Sequence, residues 1–392
     1  MTRHHSRTEP PTERAVSPVR EFLQTETAGG VLLAVGAIAA LVWANSPWSS
    51  SYERLWTSSA SLTVGTHSLH LVLRQWVNEG LITIFFFVAG LEIKRELVKG
   101  QLATRGAALL PVLAALGGML APALIYLAIA GGSAPRGWAI VVATDIPLAL
   151  GVLAIAGSRV PPALRVFLLA LAIVDDIGAL LIIAAVYSTA IGWGWVMAAV
   201  AVVGVAVIAR RIGVRSYWVY IALGCLLWLA LHEAGLNATL AGVAMGLLAP
   251  ISVVEWLEHV LHPWASYVIV PIFALANTGL TFSTDLVHSA IRSPITWAII
   301  VGRVIGKPLG IIVATKLVVG ARVADAPADT TGRQRLGVAT SAGMGFTVAL
   351  FVTGLAFSDA GQRSNATLGI LVAAVIAAGA SLSILGFRRG DS

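Results

Sequence analysis

The chain has 392 residues, of which 57% are hydrophobic and only 11% charged, with a mean hydropathy of +0.86. Soluble domains carry about 25% charged residues, so these figures exclude a water-soluble globular protein and point to an integral membrane one. The formal charge of +7 does not imply nucleic acid, because the basic residues are dispersed along the chain. Long apolar stretches separated by short polar ones predict α-helical spans rather than a β-barrel. The single cysteine, Cys225, rules out an intrachain disulfide and sits in an apolar run as a small packing residue.

Residues 1–28, with three prolines, four arginines and the adjacent His4 and His5, read as a disordered cytoplasmic tail. No small-residue cleavage motif follows the first apolar run, which argues against a removed signal peptide. Apolar windows of roughly 17–25 residues predict twelve transmembrane helices. They lie near 29–46, 76–93, 107–130, 138–156, 166–188, 193–209, 217–231, 235–250, 264–282, 295–315, 336–357 and 366–387. Together they make one transmembrane domain over 29–387, and 388–392 form a cytoplasmic C-terminal tail. The segment 61–73 alternates apolar and polar residues about Gly-Thr-His-Ser and predicts an outer β-hairpin. A loop plug and an edge for subunit pairing suit it equally. Helix breakers mark three spans: Pro147 in the fourth, Pro308 in the tenth, and Gly343 with Gly345 in the eleventh.

Twelve spans sort the Lys and Arg residues unequally. The side shared by the termini holds 19, among them Arg20, Lys94, Lys99, Arg159, Arg165, Arg210, Arg211, Arg333 and Arg335. The opposite side holds 5, namely Arg54, Arg74, Arg136, Arg292 and Arg363. The positive-inside rule therefore places both termini in the cytoplasm.

Ionised residues at a helix centre cost about 2.5–3.5 kcal/mol on insertion scales, so those retained there are usually functional. Asp175 and Asp176 lie mid-way along the fifth span, Arg303 and Lys307 one turn apart in the tenth, and Asp145 in the fourth. An ion pair with Lys307 accounts for one carboxylate. It does not account for both, because adjacent helical residues point roughly 100° apart. Pro147 removes a backbone hydrogen bond beside Thr144 and Asp145, freeing carbonyls that could ligate a small cation. "SAGMGFTVAL" (341–350) is a second weak point, seven helices later. Interrupted spans in corresponding positions of two halves are the pattern of inverted-repeat secondary transporters. Burial and a like-charged neighbour both disfavour an ionised carboxyl, so this cluster can hold protons, and sodium prefers the same oxygens. A site that takes either, but not both, couples their movements.

The strings "FFFVAGLEIKRELVKGQL" (85–102), "WAIVVATDIPLALGVLA" (138–154), "FLLALAIVDDIGALLII" (167–183), "LEHVLHPW" (257–264), "IGKPLGI" (305–311) and "GMGFTVALF" (343–351) closely resemble the NhaA family of bacterial sodium/proton antiporters. The resemblance runs from about residue 22 to 387. It implies an all-α fold with two interrupted helices crossing near the midplane, an inverted repeat of spans 3–5 and 10–12, and dimers joined through the outer hairpin. It implies a location in the bacterial cytoplasmic (inner) membrane. The implied activity is electrogenic exchange of two external protons for one cytoplasmic Na+ or Li+, without a cofactor, supporting sodium and pH homeostasis. Asp176 would be the main sodium-ligating and proton-carrying carboxylate, with Asp175 paired to Lys307. Thr144 and Asp145 would sit at the helix crossing, and these two with Asp175 and Asp176 would hold the Na+. Lys307 would either neutralise opposing helix dipoles or carry a proton. A cytoplasmic pH-responsive cluster would match Glu92, Arg95, Glu96, Glu258, His259 and His262, although read alone these are ordinary helix-end charges. Two departures stand out. Asn237 replaces a histidine linked to the pH response, with His232 five residues upstream, and Glu79 replaces an aspartate near the outer entrance.

An intramembrane aspartyl protease would need two facing aspartates, usually one in a Gly-x-Gly-Asp motif, and "GMGF" (343–346) carries phenylalanine there. A sodium-coupled solute symporter is the stronger rival and would need a polar substrate cavity beside the ion site. A passive channel fits poorly with titrating carboxylates at mid-depth.

Overall fold

The computed structural model describes residues 11–64, 67–100, 103, 105–187, 192–214 and 216–386. Helix α1 (Pro11–Ala44) begins inside the segment expected as a disordered tail. Residues 1–10 and the expected C-terminal tail, 388–392, lie outside the described residues. A short helix α2 (Ser49–Thr57) leads into strands β1 (Ser59–Val64) and β2 (His67–Val72). The strands are antiparallel, pairing Ser59 with Val72 and Val64 with His67. The indole of Trp76 donates to the Ala60 carbonyl at 2.9 Å, which ties the hairpin to the helix that follows it.

That helix starts as α3 (Leu73–Gln75), passes through a π-helical turn at Trp76–Leu81 and continues as α4 (Ile82–Val98). Next come α5 (Arg105–Ala130), a 3-10 segment Pro135–Val141, α6 (Ile146–Ala156) and α7 (Pro162–Val186). The middle of the chain forms α8 (Trp193–Arg211), α9 (Tyr217–Glu233), α10 (Leu240–Leu248), α11 (Ile251–Trp264) and α12 (Val270–Asn277). A second π-helical turn, Ala265–Ile269, joins α11 to α12 without a break, so the ninth helix begins well before the expected 264. After α13 (Thr284–Arg292), α14 (Pro294–Val301) runs through a third π-helical turn, Gly302–Gly306, into α15 (Lys307–Gly320). The chain ends in α16 (Gly332–Ser341), α17 (Thr347–Ala356) and α18 (Ala360–Gly386).

By length and composition, eight stretches among the described residues are apolar enough to cross a membrane, and they coincide with eight of the twelve expected spans. The four at 76–93, 217–231, 235–250 and 336–357 fold as shorter or broken helices. The protein is thus an all-α, multi-pass membrane protein in architecture. Pro308 does not break its helix: α14, the π-helical turn and α15 run on without interruption, and the wider π-helical turn before the proline accommodates its ring and missing N–H. Cys225 faces outward on α9 rather than packing inside.

Helices α5 and α15 meet through small residues. A Cβ added at Gly117 would lie 2.5 Å from both the Ala314 Cβ and the Gly310 carbonyl oxygen. Only glycine lets these backbones approach so closely, and such contacts replace hydrophobic burial as the packing force where both helices already face apolar surroundings. The core is lined by α1, α4, α12 and α17, with Phe86 and Phe351 meeting edge-on at 5.5 Å. This packing fixes the two interrupted helices against each other.

Candidate functional site

The first interruption spans 142–145, between the 3-10 segment and α6; the second spans 342–346, between α16 and α17. Pro147 sits in the first turn of α6, so it starts this half-helix rather than kinking a continuous one. The two breaks touch. The Asp145 amide donates to the Met344 carbonyl at 2.7 Å, and the Thr144 hydroxyl lies 3.1 Å from the Ala342 carbonyl.

Asp145 caps α6 through Oδ1, which accepts from the Leu148 amide at 3.2 Å. Its Oδ2 accepts from the amide and hydroxyl of Thr347, at 3.0 and 2.7 Å, and so closes the first turn of α17 as well. Helix N-termini carry partial positive charge and unsatisfied N–H groups. One carboxylate serves both.

Asp175, on α7, is fully buried. Its Oδ2 lies 2.7 Å from the Lys307 Nζ and accepts from the Thr144 hydroxyl at 2.7 Å. Lys307 also donates to the Val142 carbonyl. Arg303, one turn earlier and equally buried, donates to the carbonyls of Ile140, Ala143 and Gly343. The freed carbonyls that the sequence suggested as cation ligands are therefore occupied by the protein's own cations. Arg303 also explains Gly345: a Cβ there would overlap its Nη1 and the Ala143 carbonyl.

Asp176 points elsewhere. Its Oδ1 is buried without a hydrogen-bond partner, and the residue lines a cavity shared with Thr144, Asp145, Glu92, His262 and Ser266. Among the described residues, no three acidic, histidine or cysteine side chains converge as a ready-made metal centre. Asp145 is committed to two helix caps and Asp175 to Lys307, which leaves Asp176 facing the cavity.

Five of the six residues expected in a pH-responsive cluster lie close together. Arg95 pairs with Glu258 and, at 3.4 Å, with Glu96, while His262 lies 3.3 Å from Glu92. His259 is exposed on the outer face of α11. Glu92 and His262 line the same cavity as Asp176, so this cluster and that acid are not separate regions. Near the other end, Glu79 and His232 pair at 3.0 Å, with Trp228 stacked on the imidazole at 5.2 Å. The Asn237 amide oxygen accepts from the backbone and hydroxyl of Thr239, a local turn-forming role that needs no titration.

Sequence reasoning missed Thr347 and the carbonyl-binding role of Arg303. The signals were present: Thr347 is the first polar residue after the paired glycines, and Arg303 precedes Lys307 by one turn.

The description "Na+/H+ antiporter 1" matches residues 20–385. A relative from Erythrobacter litoralis, named Na(+)/H(+) antiporter NhaA 1, is 43% identical over 96% of this chain and 94% of its own. One from Sorangium cellulosum, Na(+)/H(+) antiporter NhaA 2, is 42% identical over 94% and 89% respectively. One from Shewanella frigidimarina, Na(+)/H(+) antiporter NhaA, is 43% identical over 93% and 94%. With the paired interruptions, the buried Asp145, Asp175 and Lys307, and the cavity-lining Asp176 in place, a match of this extent means that the chain belongs to the Na+/H+ antiporter 1 family.

Proposed function

We propose that the protein is an electrogenic secondary transporter, not an enzyme, that exchanges cytoplasmic Na+ or Li+ for external protons by alternating access. It works in the bacterial inner membrane with both termini in the cytoplasm, and supports sodium and pH homeostasis. The observation that carries this reading is the division of labour between adjacent acids. Asp175 is neutralised by Lys307, whereas Asp176 presents a buried, unpartnered oxygen to a cavity. An ionised carboxylate left so is costly, and a proton or a small hard cation relieves the cost. The two compete for one group, so loading one expels the other.

Each cycle moves two protons inward for one Na+ or Li+ outward, one net charge, so the membrane potential assists export. Sodium would bind at Asp176 with Thr144, Asp175 and Asp145 beside it, and its arrival would loosen Asp175 from Lys307. The twelve spans form an inverted repeat about the crossing of the two interrupted helices. Copies pair through the outer hairpin, and Glu92, Arg95, Glu96, Glu258, His259 and His262 adjust activity with pH. The names of the relatives support the exchange itself. A solute symporter finds no supporting observation.

Everted vesicles from an antiporter-deficient bacterium test this. Sodium should collapse a pre-formed proton gradient for the native protein and not for Asp176→Asn. Absence of a response to Na+ and Li+ at pH 7 and 8.5, from inserted protein, would overturn the reading.

A further inference from the structure

A cavity unrelated to the acids lies where the turn after α6, the start of α16 and the end of α18 meet. Its lining includes Gly157, Arg159, Thr331, Arg333, Gln334 and Leu385. Arg159 is exposed, and its guanidinium has no hydrogen-bond or ion-pair partner among the described residues. Arg333 donates its Nε to the Ile384 carbonyl at 2.6 Å, and among the described residues its terminal nitrogens have no partner. Behind them, Arg165 donates to the Gly157 carbonyl at 2.7 Å and keeps a buried Nε without a partner. Helix α16 starts at the cavity wall, capped by the Thr331 hydroxyl, which accepts from the Gln334 amide at 3.2 Å. Gln334 in turn donates to the Arg159 carbonyl at 2.9 Å and holds the α6 turn against α16.

Among the described residues, no acidic side chain lines this cavity to balance the arginines. Two guanidinium groups and a helix N-terminus converging on one space match a phosphate. Among the described residues, the lining also contains no aromatic side chain on which a nucleobase could stack. It does contain Ile384 and Leu385, and the exposed Ile155 and Leu336 flank it on α6 and α16. Phosphate donors bordered by apolar helix surface suit a ligand that is charged at one end and apolar at the other. We infer that this cavity binds the phosphodiester headgroup of an anionic phospholipid of the cytoplasmic leaflet, with its acyl chains along α6 and α16. Basic pockets between helix ends on that side are suited to such headgroups. The inference rests on the inward placement of the basic loops, not on the exchange reaction.

The test uses the full-length protein in mild detergent. Retained lipid is counted by native mass spectrometry, and melting is followed with dioleoyl phosphatidylglycerol, dioleoyl phosphatidylcholine or inorganic phosphate added. Phosphatidylglycerol should be retained and should raise the melting temperature, while phosphatidylcholine should not. Arg159→Gln, which disturbs no described contact, should weaken retention about fivefold, and adding Arg333→Gln should weaken it further. Arg292→Gln, exposed at the end of α13 on the opposite side, should change neither readout. Equal retention by Arg159→Gln and the native protein would overturn the inference. So would equal stabilisation by inorganic phosphate without lipid, which would assign the cavity to a soluble phosphate. Neither readout involves sodium, so failure of the exchange reading would leave this result standing.

Discussion

The carboxylate of Asp145 accepts both the amide and the hydroxyl of Thr347, 202 positions away in sequence. Phe346, at the N-cap of α17, supplies no side-chain cap of its own. Asp145 also caps its own half-helix. One negative charge therefore faces two positive helix ends, while Lys307 and Arg303 face the carbonyls of both interruptions. The crossing is balanced by charges from two separate segments of the chain.

Replacing Asp145 should therefore injure two helices at once. An N-cap deletion costs about 0.5–2 kcal/mol, so Asp145→Ala should lose roughly twice that, and Thr347→Val, which keeps the amide contact, clearly less. Melting in detergent measures both. A Thr347→Val loss equal to that of Asp145→Ala would show that the caps do not matter.

Lys307 and Asp175 should show strong coupling. Removing one partner of a buried pair costs about 3–5 kcal/mol because the other charge is stranded, while replacing both can be near neutral. Lys307→Ala and Asp175→Asn should each destabilise the protein, and the double variant should recover much of the loss. A double-mutant cycle on melting checks this, and additive losses would contradict the pairing.

Two glycines should respond oppositely to alanine. Gly345→Ala places a methyl group on the Arg303 guanidinium and the Ala143 carbonyl, with backbone on one side and a buried cation on the other. Gly151, within α6, has open space where its Cβ would go. Gly151→Ala should be neutral or stabilising by about 0.5–1 kcal/mol, whereas Gly345→Ala should lower expression and melting temperature sharply.

What the sequence exposes is chemistry that is out of place. Asp175 and Asp176 in an apolar run, Pro147 beside Asp145, and Lys307 within a span are visible without coordinates, because each breaks a pattern that lipid imposes. Partners are less visible. That Lys307 takes the Val142 carbonyl, or that Asp145 reaches Thr347, depends on how distant segments dock, and one-dimensional periodicity carries no docking angle. The start of the ninth helix is hidden for a related reason. "LEHVLHPW" (257–264) is polar enough to read as a loop, yet Glu258 and His262 are buried beside Arg95 and Glu92, which pair with them. Pro308 suggests a break that does not occur, because a π-helical turn accommodates it and the sequence does not mark where such a turn lies.

The last prediction concerns Tyr52, on α2 and outside the spans. Its side chain is 1% exposed, and its hydroxyl donates to the Leu275 carbonyl at 2.8 Å and accepts from the Gly279 amide at 3.2 Å. Burial pushes its ionisation up from 10.0 to about 12, against the smaller opposing pull of Arg74. The sign follows from linkage. The folded protein holds this proton more tightly than the unfolded chain, so the stabilisation is complete below pH about 10 and is lost as pH rises through about 12. A shift of this size corresponds to roughly 2–3 kcal/mol. Tyr52→Phe should lose about 1 kcal/mol at pH 8 for the missing hydrogen bonds. It should then decline less steeply than the native protein between pH 10 and 12. Melting curves across that range compare the two directly, and parallel declines would mean that Tyr52 ionises in the fold as readily as in water.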